Sequence, residues 1–178
     1  MDEWIDLVDS KNQICGKALK SEAHRRGLAH RSIHLWLCNE NFTELIIQKR
    51  SINKDSYPGL WDVSVAGHIS TGENPSQAAF REAQEELGIQ MKEQDLKFLG
   101  INHKQKIHGP NFIDHEFQYI FLCSFKKDLE DLILQSSEVS QVQWISTAKL
   151  FESLKENPES FVQRSSDYIS LIKQELRS

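Results

Sequence analysis

The sequence predicts an α+β fold in which helices flank a mixed β-sheet. Short apolar runs with strand-like alternation recur along the chain, and segments with helical spacing lie between and after them. No repeat, low-complexity tract or linker rich in Pro, Gly or Ser interrupts this series. At 178 residues the chain is long enough to bury one self-sufficient core. We therefore expect a single domain over residues 1–178.

The strand predictions rest on apolar runs rich in Val, Ile, Leu, Phe and Trp. In chain order they cover residues 4–8, 33–38, 44–48, 62–66, 97–103, 117–125 and 142–145. The predicted helices cover residues 75–87, 147–155 and 158–176, the last because its apolar side chains recur at helical spacing. Strands in this number, with helices at intervals, predict a sheet that is covered by helices.

Both ends of the helix predicted at residues 75–87 are marked in the sequence. Asn74 is a good N-cap, Pro75 suits the first helical position, and Gln77 stands where a capping box needs it. Gly88 supplies the left-handed residue that commonly follows a helix. One sector of the helix is apolar and is expected to face the core; it consists of Ala79, Phe80, Ala83 and Leu87.

A second sector of the same helix is acidic. Glu82, Glu85 and Glu86 are spaced i, i+3 and i+4, where like charges repel one another. A bound hard cation would remove this conflict, and carboxylate oxygens grouped in this way suit Mg²⁺ or Mn²⁺. The spacing alone leaves a second interpretation open, which is a solvated acidic face on a surface helix.

Charge and composition limit the partners that the chain can have. A net charge of −5 and a pI near 5.8 argue against a protein that holds nucleic acid, so we expect a small-molecule substrate. Cys15, Cys38 and Cys123 form no C-x-x-C pair and fit free thiols in a reducing cytoplasm. No apolar run approaches the roughly 20 residues of a membrane span, so we expect no membrane partner. The sequence leaves a homodimer open.

The segment from Gly67 to Ile89 fits a more specific pattern, G-x5-E-x7-R-E-U-x-E-E-x-G-U, in which U is a bulky apolar residue. The small Ala83 occupies one of the U positions. The other fixed positions are filled by Gly67, Glu73, Arg81, Glu82, Glu85, Glu86, Gly88 and Ile89. This stretch, residues 67–89, resembles the Nudix box. The resemblance implies the Nudix fold, an α/β/α sandwich, and a cation-dependent hydrolase that cleaves a nucleoside diphosphate linked to another moiety.

The same resemblance implies roles for individual residues. Glu85 and Glu86 would bind the metal, and Glu82 would act as a metal ligand or as a base. Arg81 would orient the glutamates through ion pairs. Gly67 would offer its backbone carbonyl near the metal.

Outside the box, about residues 4–150 are similar to type 1 isopentenyl-diphosphate isomerase and to the Nudix hydrolases that branch beside it. The similarity lies in H-R-R-G-L-A-H-R-S-I-H-L-W, I-I-Q-K-R-S-I-N-K-D-S-Y-P-G-L-W-D-V-S-V-A-G-H and D-H-E-F-Q-Y-I-F. Arg50 and Lys54 match basic positions that bind the diphosphate. The gap between the first two histidine ligands is one residue shorter here, and Asp replaces Glu at position 114. The isomerase's metal-ligand positions are matched by His24, His30, His68, Asp114 and Glu116.

Two departures from the isomerase favour a hydrolase. Ala66 stands where the isomerase carries the cysteine that transfers a proton at carbon, and alanine has no acid or base function. The glutamates at 82, 85 and 86 are all present, whereas the isomerases have lost part of this set. The leading hypothesis is therefore a metal-dependent diphosphohydrolase, in which Glu82, Glu85 or Glu116 accepts the proton of the attacking water.

Two alternatives stay open at this stage. One is a prenyl-diphosphate enzyme, either a hydrolase or a vestigial isomerase, that acts on isopentenyl or dimethylallyl diphosphate. The other is a non-catalytic sensor of a nucleotide or sugar diphosphate. Trp61 is a candidate for stacking on a nucleobase, and an aromatic of the core or the cleft rim is the competing interpretation.

Overall fold

The computed structural model describes residues 2–126 and 128–176. Within these residues a nine-stranded sheet is flanked by four α-helices. The strands are β1 (Trp4–Val8), β2 (Ile14–Leu19), β3 (His30–Cys38), β4 (Glu44–Arg50), β5 (Trp61–Asp62), β6 (Val65–His68), β7 (Leu96–Gly109), β8 (Phe112–Ser124) and β9 (Val139–Ser146). The helices are α1 (Lys20–Arg26), α2 (Pro75–Leu87), α3 (Thr147–Glu156) and α4 (Ser166–Lys173).

Strand β3 pairs with four other strands of the sheet. It pairs antiparallel with β1, β4 and β6 and parallel with β8, so the sheet is mixed, as the sequence predicts. β8 continues into an antiparallel hairpin with β7. The parallel register sets Glu116 beside His30 and Gln118 beside Ser32, and in β7 Lys104 lies opposite Glu116. Polar residues from three neighbouring strands are thereby brought together.

Two apolar clusters cover the two faces of the sheet. On one face α2 packs against the sheet through its buried alanines and Leu87. On the other face Leu150 of α3 and the C-terminal Phe161, Tyr168 and Ile172 pack against Trp36 and its neighbours. This arrangement is the predicted α/β/α sandwich. Among the described residues, none of the helices is long and apolar enough to cross a membrane.

The two faces of β3 differ in chemistry because successive side chains of a strand point to opposite sides. From Ile33 onward its odd positions belong to the apolar cluster under α2, whereas its even positions begin with polar side chains. All of these residues are buried. The apolar set is Ile33, Leu35 and Leu37, and the polar set is His30, Ser32 and His34.

Helix α2 has the ends that the sequence predicts. The Asn74 side chain accepts from the backbone N–H of Gln77 at 2.9 Å, and the Gln77 side chain accepts from the N–H of Asn74 at 3.0 Å. Gly88 ends the helix at φ 69°. The predicted apolar sector is wrong at one position. Ala78 is buried in the core, while Phe80 is only half-buried.

Several strand boundaries differ from the prediction. Strands β7 and β8 are longer than predicted because the polar residues between them pair across one hairpin. The strand predicted at 62–66 is two strands, β5 and β6, separated by Val63 and Ser64. The Ser64 hydroxyl accepts from Leu37 N at 2.8 Å and donates to Ile46 O at 2.5 Å, so the chain changes its pairing partner there. Strand β2 and helix α1 were missed, because β2 is mostly exposed and α1 has only 7 residues.

The helix predicted at 158–176 is also wrong. Pro158–Ser160 form a single 3₁₀ turn, and the chain is then extended, because the N–H of Val162 donates to the backbone O of Trp61 at 2.8 Å. Only Ser166–Lys173 form an α-helix, which is capped by Ser165. The apolar residues that suggest one long helix are therefore shared between a strand-like segment and α4.

Replacing Tyr168 with Phe tests the attachment of α4. The buried Tyr168 hydroxyl accepts from Trp36 Nε1 at 3.0 Å and lies 3.1 Å from His34 Nδ1. Its loss leaves a buried indole N–H unpaired, so we expect the free energy of unfolding to fall by about 1–3 kcal/mol in urea denaturation. The control is Tyr119→Phe, because the half-buried Tyr119 hydroxyl bonds the Asn12 side chain where water can replace it. Equal losses in the two variants would contradict this account.

Candidate active site

A cavity of about 700 Å³ lies between the acidic side of α2, strand β6 and the polar side chains of β3 and β8. Residues 53–57, which follow β4, and Arg164 complete its wall. Of the site residues predicted from the sequence, eleven line this cavity, and His30 contacts two of them through its ring. The cavity residues are His24, Arg50, Lys54, Gly67, His68, Arg81, Glu82, Glu85, Glu86, Asp114 and Glu116.

Arg81 organises the carboxylates of α2. Its Nε and Nη2 donate to the two carboxylate oxygens of Glu73 at 3.0 and 2.9 Å. Its Nη1 donates to Glu82 at 2.8 Å and to Glu85 at 3.3 Å, and its Nη2 also reaches the backbone O of His68 at 2.9 Å. The predicted ion pairs are therefore present. With Glu3, whose Oε1 lies 3.9 Å from Nη2, one guanidinium faces four carboxylates, which leaves an excess of negative charge in this part of the cavity.

The carboxyl group of Glu82 lies against the backbone of Gly67 and leaves no room for a side chain there. A Cβ atom added at Gly67 would overlap the carboxyl group of Glu82, so only a residue without a side chain allows this approach. The close contact also explains why the Glu82 side chain is only 12% exposed. Helix α2 and strand β6 thus meet at this point through a carboxylate and a peptide backbone.

The three glutamates of α2 have different environments. Glu86 is buried, and its Oε2 accepts from Gln48 Nε2 at 3.2 Å and from Ala66 N at 3.4 Å. Burial, reinforced by the Glu82 carboxylate, raises the pKa of Glu86 to about 8. Burial also raises the pKa of Glu82 to about 6, against the opposing effect of Arg81. Glu85 is about half exposed and pairs with Arg81. A cation bound here would stabilise the charged form of each carboxylate.

Three histidines from three different elements meet on the other side of Gly67. His24 of α1, His30 of β3 and His68 of β6 each offer one ring nitrogen, and these atoms lie within 4.8 Å of one another. His24 Nε2 and His68 Nε2 are 3.0 Å apart. Glu116 Oε1 lies 3.9 Å from His30 Nε2 and 3.7 Å from His68 Nε2. We call His24, His30, His68 and Glu116 the histidine cluster.

The hydrogen bonds of the histidine cluster leave lone pairs directed at its centre. His30 Nδ1 donates to Leu28 O at 2.8 Å, so its Nε2 is the unprotonated nitrogen. That Nε2 is buried and has no hydrogen-bond partner among the described residues. Burial lowers the pKa of His30, and lowers that of His68 well below its ordinary value, which keeps both rings neutral. Neutral imidazoles with a nearby carboxylate are the donor set that Zn²⁺ and Mn²⁺ accept.

Asp114 occupies a different place from the other predicted ligands. Its Oδ1 lies 3.4 Å from His24 Nδ1, the ring nitrogen that faces away from His68, and its Oδ2 bonds His108 Nε2 at 2.6 Å. Asp114 therefore contacts Nδ1 of His24, on the side of the ring that points away from His68. Its side chain is one methylene shorter than that of the glutamate in the isomerase pattern, and His108 holds its carboxylate on this side.

The two basic residues predicted to bind a diphosphate both line the cavity, and each has an internal partner. Arg50 is 9% exposed, and its Nη1 lies 3.3 Å from Asp62 while its Nε donates to Ser56 O at 3.0 Å. Lys54 forms an ion pair with Glu138, and both side chains are partly exposed. Lys54 can therefore exchange its partner for a ligand more readily than Arg50.

Trp61 lies outside the cavity. Its indole packs in the apolar cluster under α3, beside a small pocket that Leu150 and Leu154 also line. Lys49 Nζ lies 5.8 Å from the centre of the ring. The predicted stacking position is thus an aromatic of the core, because β5 pairs with β4 and turns this side chain toward α3.

Sequence reasoning missed part of the cavity wall. Three of the missed residues, Ser32, His34 and Gln118, share one signal, an alternation of polar and apolar residues along β3 and β8 in runs that otherwise indicate buried strands. Lys104 lies just beyond the strand predicted at 97–103, and Arg164 lies in the helix predicted at 158–176. The missed residues are Ser32, His34, Lys104, Gln118 and Arg164.

A NUDIX domain family model matches residues 28–165. The chain is 38% identical over 140 residues to an uncharacterized Nudix hydrolase of Clostridium acetobutylicum, which covers 78% of this chain and 67% of that protein. It is 31% identical over 161 residues to a Photorhabdus laumondii protein named isopentenyl-diphosphate Delta-isomerase 2, covering 90% and 87%. It also matches Nudix hydrolase 3 of Arabidopsis thaliana at 34% identity over 148 residues, which is 81% of this chain and 19% of that protein. The chain belongs to the Nudix family of hydrolases, which act on diphosphate bonds.

Solved structures agree on the fold. A Deinococcus radiodurans protein superposes with a TM-score of 0.72 at 22% sequence identity, covering 97% of this chain and 98% of that one. The resemblance to the Nudix fold that the sequence suggests is therefore confirmed for the whole described sandwich.

The raised pKa of Glu86 predicts a pH dependence of stability in the absence of divalent cations. The unfolded chain ionises this carboxyl near 4.5, whereas the folded chain keeps it protonated up to about 8. The folded state binds more protons in this window, so stability falls as pH rises through it, by at most about 1.4 kcal/mol per pH unit. Glu86→Gln should flatten the curve of unfolding temperature against pH in EDTA. Glu152→Gln, on the exposed surface of α3, is the control and should keep the slope; identical slopes for Glu86→Gln and the native chain would contradict the prediction.

Proposed function

We propose that this protein is a diphosphohydrolase that depends on Mg²⁺ or Mn²⁺ and cleaves a small nucleoside-diphosphate-linked or related substrate. The observation that carries the proposal is the excess of carboxylates around Gly67. Arg81 faces Glu73, Glu82 and Glu85, and the buried Glu86 adds a further acidic group to the same cavity. Such an excess of negative charge favours a divalent cation with oxygen ligands.

The glutamates of α2, together with the Gly67 carbonyl, are the groups that would hold this cation. When bound, the cation would neutralise diphosphate oxygens and lower the pKa of a water molecule. Glu82 fits the role of base, because Arg81 fixes its carboxylate and the carboxylate lies against the backbone of Gly67. Glu85 and Glu116 are the competing candidates. On the opposite wall Lys54 would exchange Glu138 for a phosphate oxygen, and Arg50 would add positive charge from a fixed position.

We also propose that the histidine cluster holds a second divalent cation. The unpartnered Nε2 of His30 and the 3.0 Å approach of two ring nitrogens fit a cation better than an empty space. His24 and Asp114 would form a ligand and its supporting carboxylate, an arrangement that fixes the orientation of the ring. Both proposed cations border one cavity, so a diphosphate could contact both.

A prenyl-diphosphate enzyme is the second candidate, and the histidine cluster is the observation that favours it. Two relatives, 31% and 29% identical to this chain, are named isopentenyl-diphosphate isomerases. Isomerisation needs a group that delivers a proton at carbon. Ala66 lines the cavity and cannot supply one, so we place hydrolysis first.

The first test is hydrolysis by the native chain and by Glu85→Gln with Mg²⁺ or Mn²⁺. The substrates are nucleoside di- and triphosphates, nucleotide sugars, dinucleoside polyphosphates and isopentenyl diphosphate, with products identified by phosphorus NMR. We expect the native chain to cleave one class and Glu85→Gln to be at least about 100-fold slower, because it loses a charged oxygen near the cation. Glu152→Gln is the matched control, since its side chain is similarly exposed, 50% against 52% for Glu85, and should retain full activity.

Two results of that test would reject the hydrolase. Allylic product from isopentenyl diphosphate would establish the isomerase. Ligand binding without any turnover would establish the non-catalytic sensor of a diphosphate.

The second cation is tested by metal analysis after dialysis against Mn²⁺ or Zn²⁺. We expect His68→Asn to bind this cation at least about tenfold more weakly, because a ligand nitrogen is lost. His115→Asn is the control, since His115 lies on the same hairpin as Glu116 but bonds Gly27 O outside the cluster. Unchanged metal content in His68→Asn would reject the site, whatever the outcome for hydrolysis.

A further inference from the structure

A second group of cations lies in the same cavity, away from the glutamates of α2. Arg164 projects into it from the extended segment before α4, and its side chain is only 6% exposed. Its Nη2 pairs with Asp62, while its Nε is buried and has no hydrogen-bond partner among the described residues. A buried guanidinium N–H without an acceptor is costly unless a ligand supplies one.

The charges around Arg164 do not balance. The single carboxylate of Asp62 pairs with both Arg164 and Arg50, so this group carries one excess positive charge. Lys104 adds another, and its ammonium donates to the neutral hydroxyl of Tyr57 at 3.1 Å. Burial, together with the neighbouring Arg164, lowers the pKa of Lys104 to about 8. The carboxylate opposite Lys104, Glu116, is engaged by Gln118 and lies close to the histidines.

Neutral donors surround the same region. The Ser32 hydroxyl is buried and has no partner among the residues that the structure describes. His34 is also buried, and this burial, reinforced by positive neighbours, keeps its pKa well below the ordinary value. Its Nδ1 lies 3.1 Å from the Tyr168 hydroxyl, which can donate to it and so leave Nε2 as the N–H of a ring that lines the cavity. Hydroxyl, imidazole, guanidinium and ammonium groups together form a set of hydrogen-bond donors.

We propose that Arg164, Lys104, Ser32 and His34 form a subsite for an anionic group on the organic part of the substrate. A carboxylate or a phosphate monoester supplies the acceptors and the negative charge that these residues lack, and guanidinium groups bind both in a bidentate manner. This inference rests on the proposed function, because it assumes that the diphosphate occupies the glutamate side of the cavity.

The subsite separates the two candidate substrate classes. A nucleoside diphosphate linked to a moiety with a second anionic group matches both regions of the cavity. A prenyl chain would instead place hydrocarbon against unpaired N–H groups and buried charges, and would satisfy none of them. Among the described residues, no ion pair joins Arg164 or Lys104 to the glutamates of α2, so the two regions can bind different parts of one molecule.

The test compares ligands that differ only in the second anionic group. UDP-glucuronate and UDP-glucose differ by a carboxylate, and NADP⁺ and NAD⁺ differ by a phosphate. Dissociation constants are measured by calorimetry with Mg²⁺ on the Glu85→Gln protein, so that turnover does not interfere. We expect the anionic member of at least one pair to bind about 10- to 100-fold more tightly, as a charge-assisted hydrogen-bond set provides.

The preference must depend on the subsite. Lys104→Met and Arg164→Met should each reduce the ratio of dissociation constants to near one, whereas Arg26→Met, at an exposed pair with Glu22, should preserve it. Lys104→Met is the safer variant, because Asp62 then keeps both of its arginine partners. Equal affinities within both pairs, no binding of any ligand, or a ratio that survives both variants would overturn the proposal.

Hydrolysis by the native chain is scored separately with the same ligands. A preference for the anionic member without cleavage of the diphosphate bond would support the subsite and reject the hydrolase. Cleavage with equal affinities in both pairs would support the hydrolase and reject the subsite.

Discussion

The alternation of side chains along β3 is the constraint on which the rest of the structure depends. A buried strand must satisfy both of its faces, and here one face is apolar from Ile33 onward while the other is polar at His30, Ser32 and His34. The apolar face forms the floor on which α2 packs, which fixes the position of the acidic helix. The polar face supplies His30 to the histidine cluster and Ser32 and His34 to the cavity wall. One nine-residue strand thereby holds the core and the site in a fixed relation.

The cavity has a negatively charged region and a positively charged region. Near Gly67 one guanidinium, that of Arg81, faces four carboxylates, whereas around Asp62 one carboxylate faces two guanidiniums. The ring nitrogens of three histidines also approach one another closely. Each imbalance is expensive inside a protein and is relieved by a ligand of the opposite sign. The negative region favours a cation and the positive region an anion, which is the charge pattern of a metal-bound anionic substrate.

The relation to the isomerases is closest in the scaffold and weakest in the cavity wall. The histidines and Glu116 are present, and their mutual distances fit a common cation. Ala66 lacks the proton-transfer group, while Lys104 and Arg164 make the neighbouring wall cationic. This chain therefore shares possible metal ligands with the isomerases, but the residues around those ligands suit a different reaction. The fold alone does not determine the reaction.

The sequence by itself determined the fold class, the family and helix α2 with both of its caps, because these depend on local spacing and on short-range hydrogen bonds. It also predicted the residues that meet around Gly67. Tertiary structure decided the surroundings of individual side chains: it packed Trp61 against the apolar cluster under α3, set Asp114 beside His24, and brought Arg164 into the cavity. These outcomes depend on strand pairing and on backbone bonds between distant segments, such as that from Val162 to Trp61, and no local pattern encodes them.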